Sequence, residues 1–388
     1  MAIKKAVFHL GMPKAGCTSI QYTLFSNSAF LEKNGFRYLN EWGRTHSKIF
    51  RLLFSQSRTC THNAPGKLKI LYNLLEGILA SSKFETLVFS GQFTRFFSSN
   101  IVIDSYKNFL KYYFSDNNID ITIVIFVRNP LLYFISALQE NISNHQFDTM
   151  NELFETAIKQ YEGIFNLHKH FQDFVKIVKF EDACLDEDGL LGYFLKTINF
   201  PKKDLKSINI HRVNESRCVE AIELFDYIEK MASSTGINTK KSILLEKRND
   251  LKILKTIRGV KFDLDYQTKI EFWERLQETV HSLETIGIDY TGYKIPTTSI
   301  QETYSEQTIE GFIAVFPKLN VMNQKLFLSF FEMKYHQTLQ EKFKRLYFQN
   351  SVPWKIYNSK TSLSQVGIEV KDKLRKLKKV IWEIWRGF

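Results

Sequence analysis

Lys14 sits in the stretch AVFHLGMPKAGCTSIQYTLF, residues 6–25, inside a turn that also holds Gly11, Pro13, Gly16, Thr18 and Ser19. Those residue types at that spacing make an anion cradle, in which successive backbone N–H groups and a helix N-terminus surround a phosphate. Gly16 lets the backbone approach closely, while Thr18 and Ser19 add hydroxyls at the first helical turn, where they can also cap it. Counted from Gly11, the stretch follows the nucleotide-loop spacing G-x-x-x-x-G-K-[ST], except that Cys17 stands where lysine is usual. Cys17 still offers its backbone N–H, so its side chain need not be a ligand. Enzymes that cleave ATP or GTP also need Mg²⁺, held by the loop hydroxyl and an acidic residue at a strand end. The neighbouring strands here end in FSGQ and FVRNP, with no acidic residue. The sequence therefore predicts a metal-free nucleotide ligand whose transferable group lies beside Lys14.

A second constellation, FVRNPLLYFISALQE, puts Arg128 at a strand end and Ser136 on the helix that follows. Asn129-Pro130 fits the turn between them, with proline near the first helical position. Arg128 and Ser136 can converge on one phosphate, the arginine by forked charge-assisted hydrogen bonds and the serine by its hydroxyl.

Alternating strands and helices must carry these residues. Residues 5–10 read as a buried strand and SIQYTLFSNSAFLEKNG as one helix ending near Gly35. KLKILYNLLEGILASS reads as a helix, FETLVFS as a strand leading to Gly91 and Gln92, and SYKNFLKYYFS as a helix. ITIVIFV is a β-branched run of the kind found in a central parallel strand, and LLYFISALQENI resumes helical spacing. Then come a helix over 151–172, the strand VKIVKF, and helices over 188–198, 217–233 and 266–286. The alternation implies an α/β fold of three layers, α/β/α, around a parallel sheet. Residues 1–290 are read as this domain, 291–308 as a linker, and 309–388 as a helical extension.

A formal charge of +12 favours anionic partners, though charge alone does not choose among them. With 34 Phe and 17 Tyr but only 7 Pro, the chain favours long helices and a well-filled core. The four cysteines, Cys17, Cys60, Cys184 and Cys218, form no C-x-x-C pair, which argues for a reducing compartment and against a zinc site. No apolar run approaches the roughly 20 residues of a membrane-spanning helix, and the N-terminal apolar stretch lacks a cleavage site. The chain reads as cytoplasmic. Its last segment, VGIEVKDKLRKLKKVIWEIWRGF, reads as a basic amphipathic helix that either packs on its own domain or lies on an anionic membrane surface, the first being favoured.

GMPKAGCTSIQ together with VRNPLLYFISALQE resembles the bacterial, carbohydrate-directed branch of the sulfotransferases that use 3′-phosphoadenosine 5′-phosphosulfate (PAPS). The resemblance covers about 1–290, because VKFEDACLDEDGLLGYFLKTINF and HRVNESRCVEAIELFDYIE also look like segments of such proteins. It implies that Pro13, Lys14, Ala15, Gly16, Cys17, Thr18 and Ser19 bind the 5′-phosphosulfate, with Lys14 at the bridging oxygen. It implies Arg128 and Ser136 for the 3′-phosphate, PAPS as co-substrate, and no metal. Ala15 and Cys17 depart from the family's loop by replacing hydroxyl residues, which removes side-chain hydrogen bonds and leaves the backbone ones. A lysine on the departing phosphate oxygen stabilises charge that develops in the transition state.

The acceptor hydroxyl must lose a proton. Where relatives carry an acidic residue after the strand that aligns with TLVFSGQ, this chain has Gln92, which can orient an acceptor and cannot take its proton. His46 stands where similar bacterial proteins often place a histidine, and its near-neutral pKa suits a base. Glu140 and His145 are further candidates, whereas His9 is read as a packing residue. The resemblance implies a carbohydrate or glycolipid acceptor and no nucleic acid partner. Two readings compete: a divergent nucleotide kinase, and a PAPS-binding scaffold that has lost catalysis, the latter suggested by Cys17 and Gln92.

Overall fold

The computed structural model describes residues 3–54, 66–80, 83–144, 149–211, 217–234, 253–254, 256–297, 304–319 and 321–332. Five strands, β1 (Lys5–His9), β2 (Phe36–Tyr38), β3 (Thr86–Ser90), β4 (Asp120–Val127) and β5 (Val175–Lys179), form one sheet in the order β2-β3-β1-β4-β5. Every pairing is parallel. In the central strand β1, Phe8 lies level with Phe89 and Ile123, and His9 with Ser90 and Val124. Because β1, β3 and β4 are buried on both faces, they read as unbroken apolar runs.

Parallel strands need crossovers, and these are right-handed almost without exception. The chain leaves β1 through α1 (Cys17–Ser26) and α2 (Ser28–Lys33) to β2. It then moves the opposite way across the sheet, through α3 (Ser47–Phe54) and α4 (Lys67–Ala80) to β3, and through α5 (Asn100–Tyr113) to β4. From β4 it passes through α6 (Pro130–Asn144) and α7 (Met150–Phe171) to β5, followed by α8 (Phe180–Leu185) and α9 (Gly189–Thr197). The reversal of direction puts helices on both faces. Side chains one residue apart on β1 show both layers, since they point to opposite sides. Phe8 stacks on Phe89 at 4.6 Å and meets Tyr106 of α5 edge-on at 5.8 Å, whereas the His9 ring lies 5.3 Å from Phe194 of α9. The expected three-layer α/β/α arrangement is present, and much of the phenylalanine surplus fills its core.

Two of the expected helices are each broken in two. The single helix read after the loop is two, because Asn27 interrupts it. The Asn27 amide donates to the carbonyls of Thr23 at 2.8 Å and Asn209 at 2.9 Å, and its Oδ1 accepts from the Asn209 N–H at 3.1 Å. The helix read over 266–286 is likewise two, Tyr266–Arg275 and Gln277–Thr285, separated by Leu276. At the start of α7, Thr149 and Glu152 form a reciprocal capping box.

The described residues fall into two compact units. One comprises 3–141, 149–211 and 264–297 and contains the sheet. The other comprises 142–144 with the described parts of 217–263 and 304–332. In this second unit α10 (Val219–Ser234) and the helices Glu306–Val315 and Val321–Glu332 share an apolar core that includes Phe225, Phe312, Phe327 and Phe331. The buried Glu220 ties its segments together by accepting from the N–H groups of Val260 at 3.2 Å and Tyr304 at 3.3 Å. The basic C-terminal segment lies outside the described residues.

Candidate functional site

The loop between β1 and α1 opens at the carboxyl end of the sheet, where the connections from β1 and β4 leave toward opposite faces. Such reversal points are where open α/β sheets form ligand crevices. The end of β1 is bracketed on both sides, because the Leu10 N–H donates to Val124 O at 3.1 Å and the Gly91 N–H to His9 O at 3.0 Å. Within the loop, the Ala15 N–H donates to Met12 O at 3.3 Å. Lys14 and Gly16 both take left-handed backbone conformations, with φ of 63° and 74°. Glycine suits position 16 twice over, through this conformation and because a Cβ there would displace Leu190 Cδ2, 2.0 Å away. Lys14 adopts the same conformation at a cost of about 1 kcal/mol. Strain of this kind is held by its surroundings and concentrates where ligands are gripped. The N-cap of α1 is Gly16, which has no side chain to offer, and the Ser19 N–H turns back onto Gly16 O at 3.0 Å. The first N–H groups of a helix have no intrahelical partner of their own, which is what suits such an end to an anion.

The Cys17 side chain has a structural task that its position in the sequence conceals. It is buried, and its thiol lies 2.9 Å from Met12 O, bridging the loop from inside. Burial pushes the thiol pKa up to about 12, so it stays protonated. The space it fills explains Gly11, where a Cβ would come within 2.1 Å of Cys17 Sγ and 2.9 Å of His9 Nε2.

β4 continues three residues past the level of His9 and delivers Arg128 under the loop. Arg128 Nη1 donates to Lys14 O at 2.8 Å, and the guanidinium carbon lies 5.5 Å from the centre of the Phe180 ring. Burial lowers the Arg128 pKa from its ordinary value, opposed by the nearby Glu181 carboxylate. Asn129 then caps α6, its Oδ1 accepting from the N–H groups of Leu131 at 3.0 Å and Leu132 at 3.2 Å, with Pro130 as the first helical residue. Ser136 and Glu140 are four residues apart on α6 and share one face. Glu140 Oε2 lies 3.0 Å from Lys14 Nζ, which brings that face to the loop. The structure thus joins Lys14, Arg128 and α6 in one place.

It places His46 differently. This ring is fully buried, stacked on Tyr38 at 4.7 Å and surrounded by Trp42, Phe50 and Phe89. Its Nε2 donates to Leu39 O at 3.0 Å and its Nδ1 accepts the Ser90 N–H at 3.1 Å. Burial lowers its pKa to about 3. Both nitrogens serve the fold, and neither is open to an acceptor hydroxyl. His9 is a core residue too, with Nδ1 2.7 Å from Ser90 Oγ and a pKa lowered to about 3 by burial. Gln92 is half-buried just past β3, its N–H donating to Ser47 Oγ at 2.8 Å. His145 lies outside the described residues.

Sequence reasoning missed the group that fixes the end of β4. Glu181 Oε1 accepts the Asn129 N–H at 3.1 Å, and its Oε2 lies 2.5 Å from the Tyr290 hydroxyl. The same hydroxyl lies 2.8 Å from Val127 O, and the Tyr161 hydroxyl donates to Arg128 O at 2.9 Å. Among the described residues no His, Cys, Asp and Glu side chains group in a way that could hold a metal ion, and no helix is long and apolar enough to cross a membrane.

No family model matches the sequence, and no curated protein does. Among solved structures, the chain is similar to a sulfotransferase from Alicyclobacillus acidocaldarius, with a TM-score of 0.34 and 11% identity over 60% of this chain and 92% of that one. It is also similar to the sulfotransferase domain from the curacin biosynthetic pathway, with a TM-score of 0.32 and 12% identity over 52% and 76% of the two chains. Overlap at this level fixes neither a family nor an activity.

Proposed function

We propose that the protein is a sulfotransferase that moves a sulfuryl group from PAPS to a hydroxyl acceptor, a carbohydrate or glycolipid. The observation that carries this reading is Lys14 itself. It is held left-handed in a loop that leads through Gly16 into the N-terminus of α1, its carbonyl bound by Arg128 and its ammonium beside α6. A lysine so placed suits a charge that appears on an oxygen inside the loop better than a terminal phosphate on Mg²⁺.

In this reading the loop amides and the Thr18 and Ser19 hydroxyls hold the 5′-phosphosulfate, and Ser136 faces the 3′-phosphate with Arg128 behind it. The acceptor oxygen forms a bond to sulfur as the bond from sulfur to the phosphate oxygen breaks. Lys14 meets the charge left on that departing oxygen. The acceptor proton goes to a base, and Glu140 is the carboxylate that the fold brings within 3.0 Å of Lys14. Gln92 orients the acceptor at the adjoining strand end.

Thermal stabilisation tests the donor. Adenosine 3′,5′-bisphosphate and PAPS are expected to raise the melting temperature, and removal of the 3′-phosphate to remove most of the effect. Stabilisation by ATP–Mg²⁺ without any by PAPS would replace this reading with a nucleotide kinase. Transfer of labelled sulfate to a glycan pool separates an enzyme from a scaffold.

A further inference from the structure

The resemblance gives Arg128 one task, the ligand's 3′-phosphate, but the structure commits part of its guanidinium elsewhere. Nη1 donates to the carbonyl of Lys14 at 2.8 Å, inside the loop. That carbonyl belongs to a residue with φ of 63°, a conformation that L side chains rarely take. Arg128 is itself immobilised before it reaches the loop. Its own carbonyl accepts from Tyr161, the next N–H is held by Glu181, and the carbonyl before it lies 2.8 Å from the Tyr290 hydroxyl. The Phe180 ring flanks the guanidinium at 5.5 Å and also lies 3.4 Å from where a Gly16 Cβ would stand. The chain therefore forms a rigid path from β4, through Arg128, to the Lys14 peptide.

We infer that Arg128 is a positioning residue for the loop, one that holds the Lys14 peptide left-handed so that the ammonium and the loop amides converge on the 5′ group. The inference rests on the proposed nucleotide site for its ligand, and it separates Arg128 from Ser136, whose place on α6 gives it no such hold on the Lys14 carbonyl. An arginine that only bound the 3′-phosphate would matter only to ligands that carry one. An arginine that shapes the loop matters equally to ligands with and without it.

The test is a binding comparison by calorimetry with two probes, adenosine 3′,5′-bisphosphate and adenosine 5′-monophosphate. Arg128→Lys and Arg128→Gln are expected to weaken both by a similar factor, about tenfold or more, as for the loss of a charge-assisted hydrogen bond. Ser136→Ala is expected to weaken the bisphosphate alone. A loss confined to the bisphosphate in the Arg128 variants overturns the inference. Hydrogen exchange without ligand is an independent second measurement, with faster exchange expected over residues 10–18 in both Arg128 variants and unchanged exchange in β1 and β5. Unaltered exchange in the loop also overturns it. Should the wild-type protein bind neither probe, the proposed function fails, and the exchange experiment still decides the role of Arg128.

Discussion

Lys14 and His46 stand at the ends of adjoining strand connections, and each is a residue type that enzymes use for chemistry, yet the protein treats them in opposite ways. Around Lys14 the backbone is strained, the side chain keeps 21% of its surface exposed, and charged partners come from β4 and α6. Around His46 the backbone N–H and both ring nitrogens are bonded to main chain, and four aromatic rings enclose the imidazole. The first is held ready at a cost in stability. The second contributes stability and has nothing left to offer a substrate. Reactivity follows from which groups remain unsatisfied, and residue type sets only what they could do.

The largest expected effect sharpens that contrast. Lys14→Ala should lower sulfuryl transfer by about a hundredfold or more, the usual loss on removing one transition-state donor, while bisphosphate binding persists. A rate close to wild type would break the contrast at its active end. His46→Ala should act on the other variable, lowering stability by about 2–4 kcal/mol through lost packing and the stranded Ser90 N–H and Leu39 carbonyl. Its transfer rate per folded molecule should stay within a fewfold of wild type; a collapse in rate without loss of stability would make His46 the base.

Packing inside the loop comes next. Gly11→Ala places a methyl within 2.1 Å of Cys17 Sγ and should cost about 1–3 kcal/mol in chemical denaturation. Cys17→Ala should recover much of that loss in the double variant, whereas additive losses would show that the two sites are not interlocked. The pH dependence follows from the two buried histidines. Their pKa values are lowered to about 3 from 6.5, so the unfolded chain takes up their protons first. Their contribution is complete above about pH 6.5 and declines as pH falls toward 3, by up to about 1.4 kcal/mol per pH unit for each. Denaturation midpoints across that range should show the slope, and His46→Gln should remove part of it. Glu140 divides the two readouts: as the base, its loss should lower transfer by about a hundredfold, while its half-exposed ion pair with Lys14 makes its effect on binding the smallest. Glu140→Gln should tighten bisphosphate binding by about two- to fivefold, since exposed pairs contribute little; weaker binding would show that Glu140 aids the ligand.

The sequence carried the layout of this site because its signals are local. Glycine and proline at fixed offsets announce the loop, and Asn129-Pro130 announces the start of α6 before any contact is known. The short strand β2 and helix α3 escaped, being only 3 and 8 residues long and flanking a histidine that invited a chemical reading. The break at Asn27 escaped because its cause is a partner 182 residues away, and the clasp between Glu181 and Tyr290 spans 109. Contacts at such separations leave no periodic trace. The thiol of Cys17 was legible only as a missing lysine, since nothing near it in the chain reveals that it faces inward and forbids a side chain at Gly11.

That inward thiol also makes the loop self-reporting. A thiol with a pKa near 12 in a closed turn is inert to alkylating agents, while the exposed Cys184 is open to them. Alkylation at Cys17 then requires the turn to open, and at high reagent concentration its rate approaches the rate of opening. The residue that seemed to spoil the loop is its native clock.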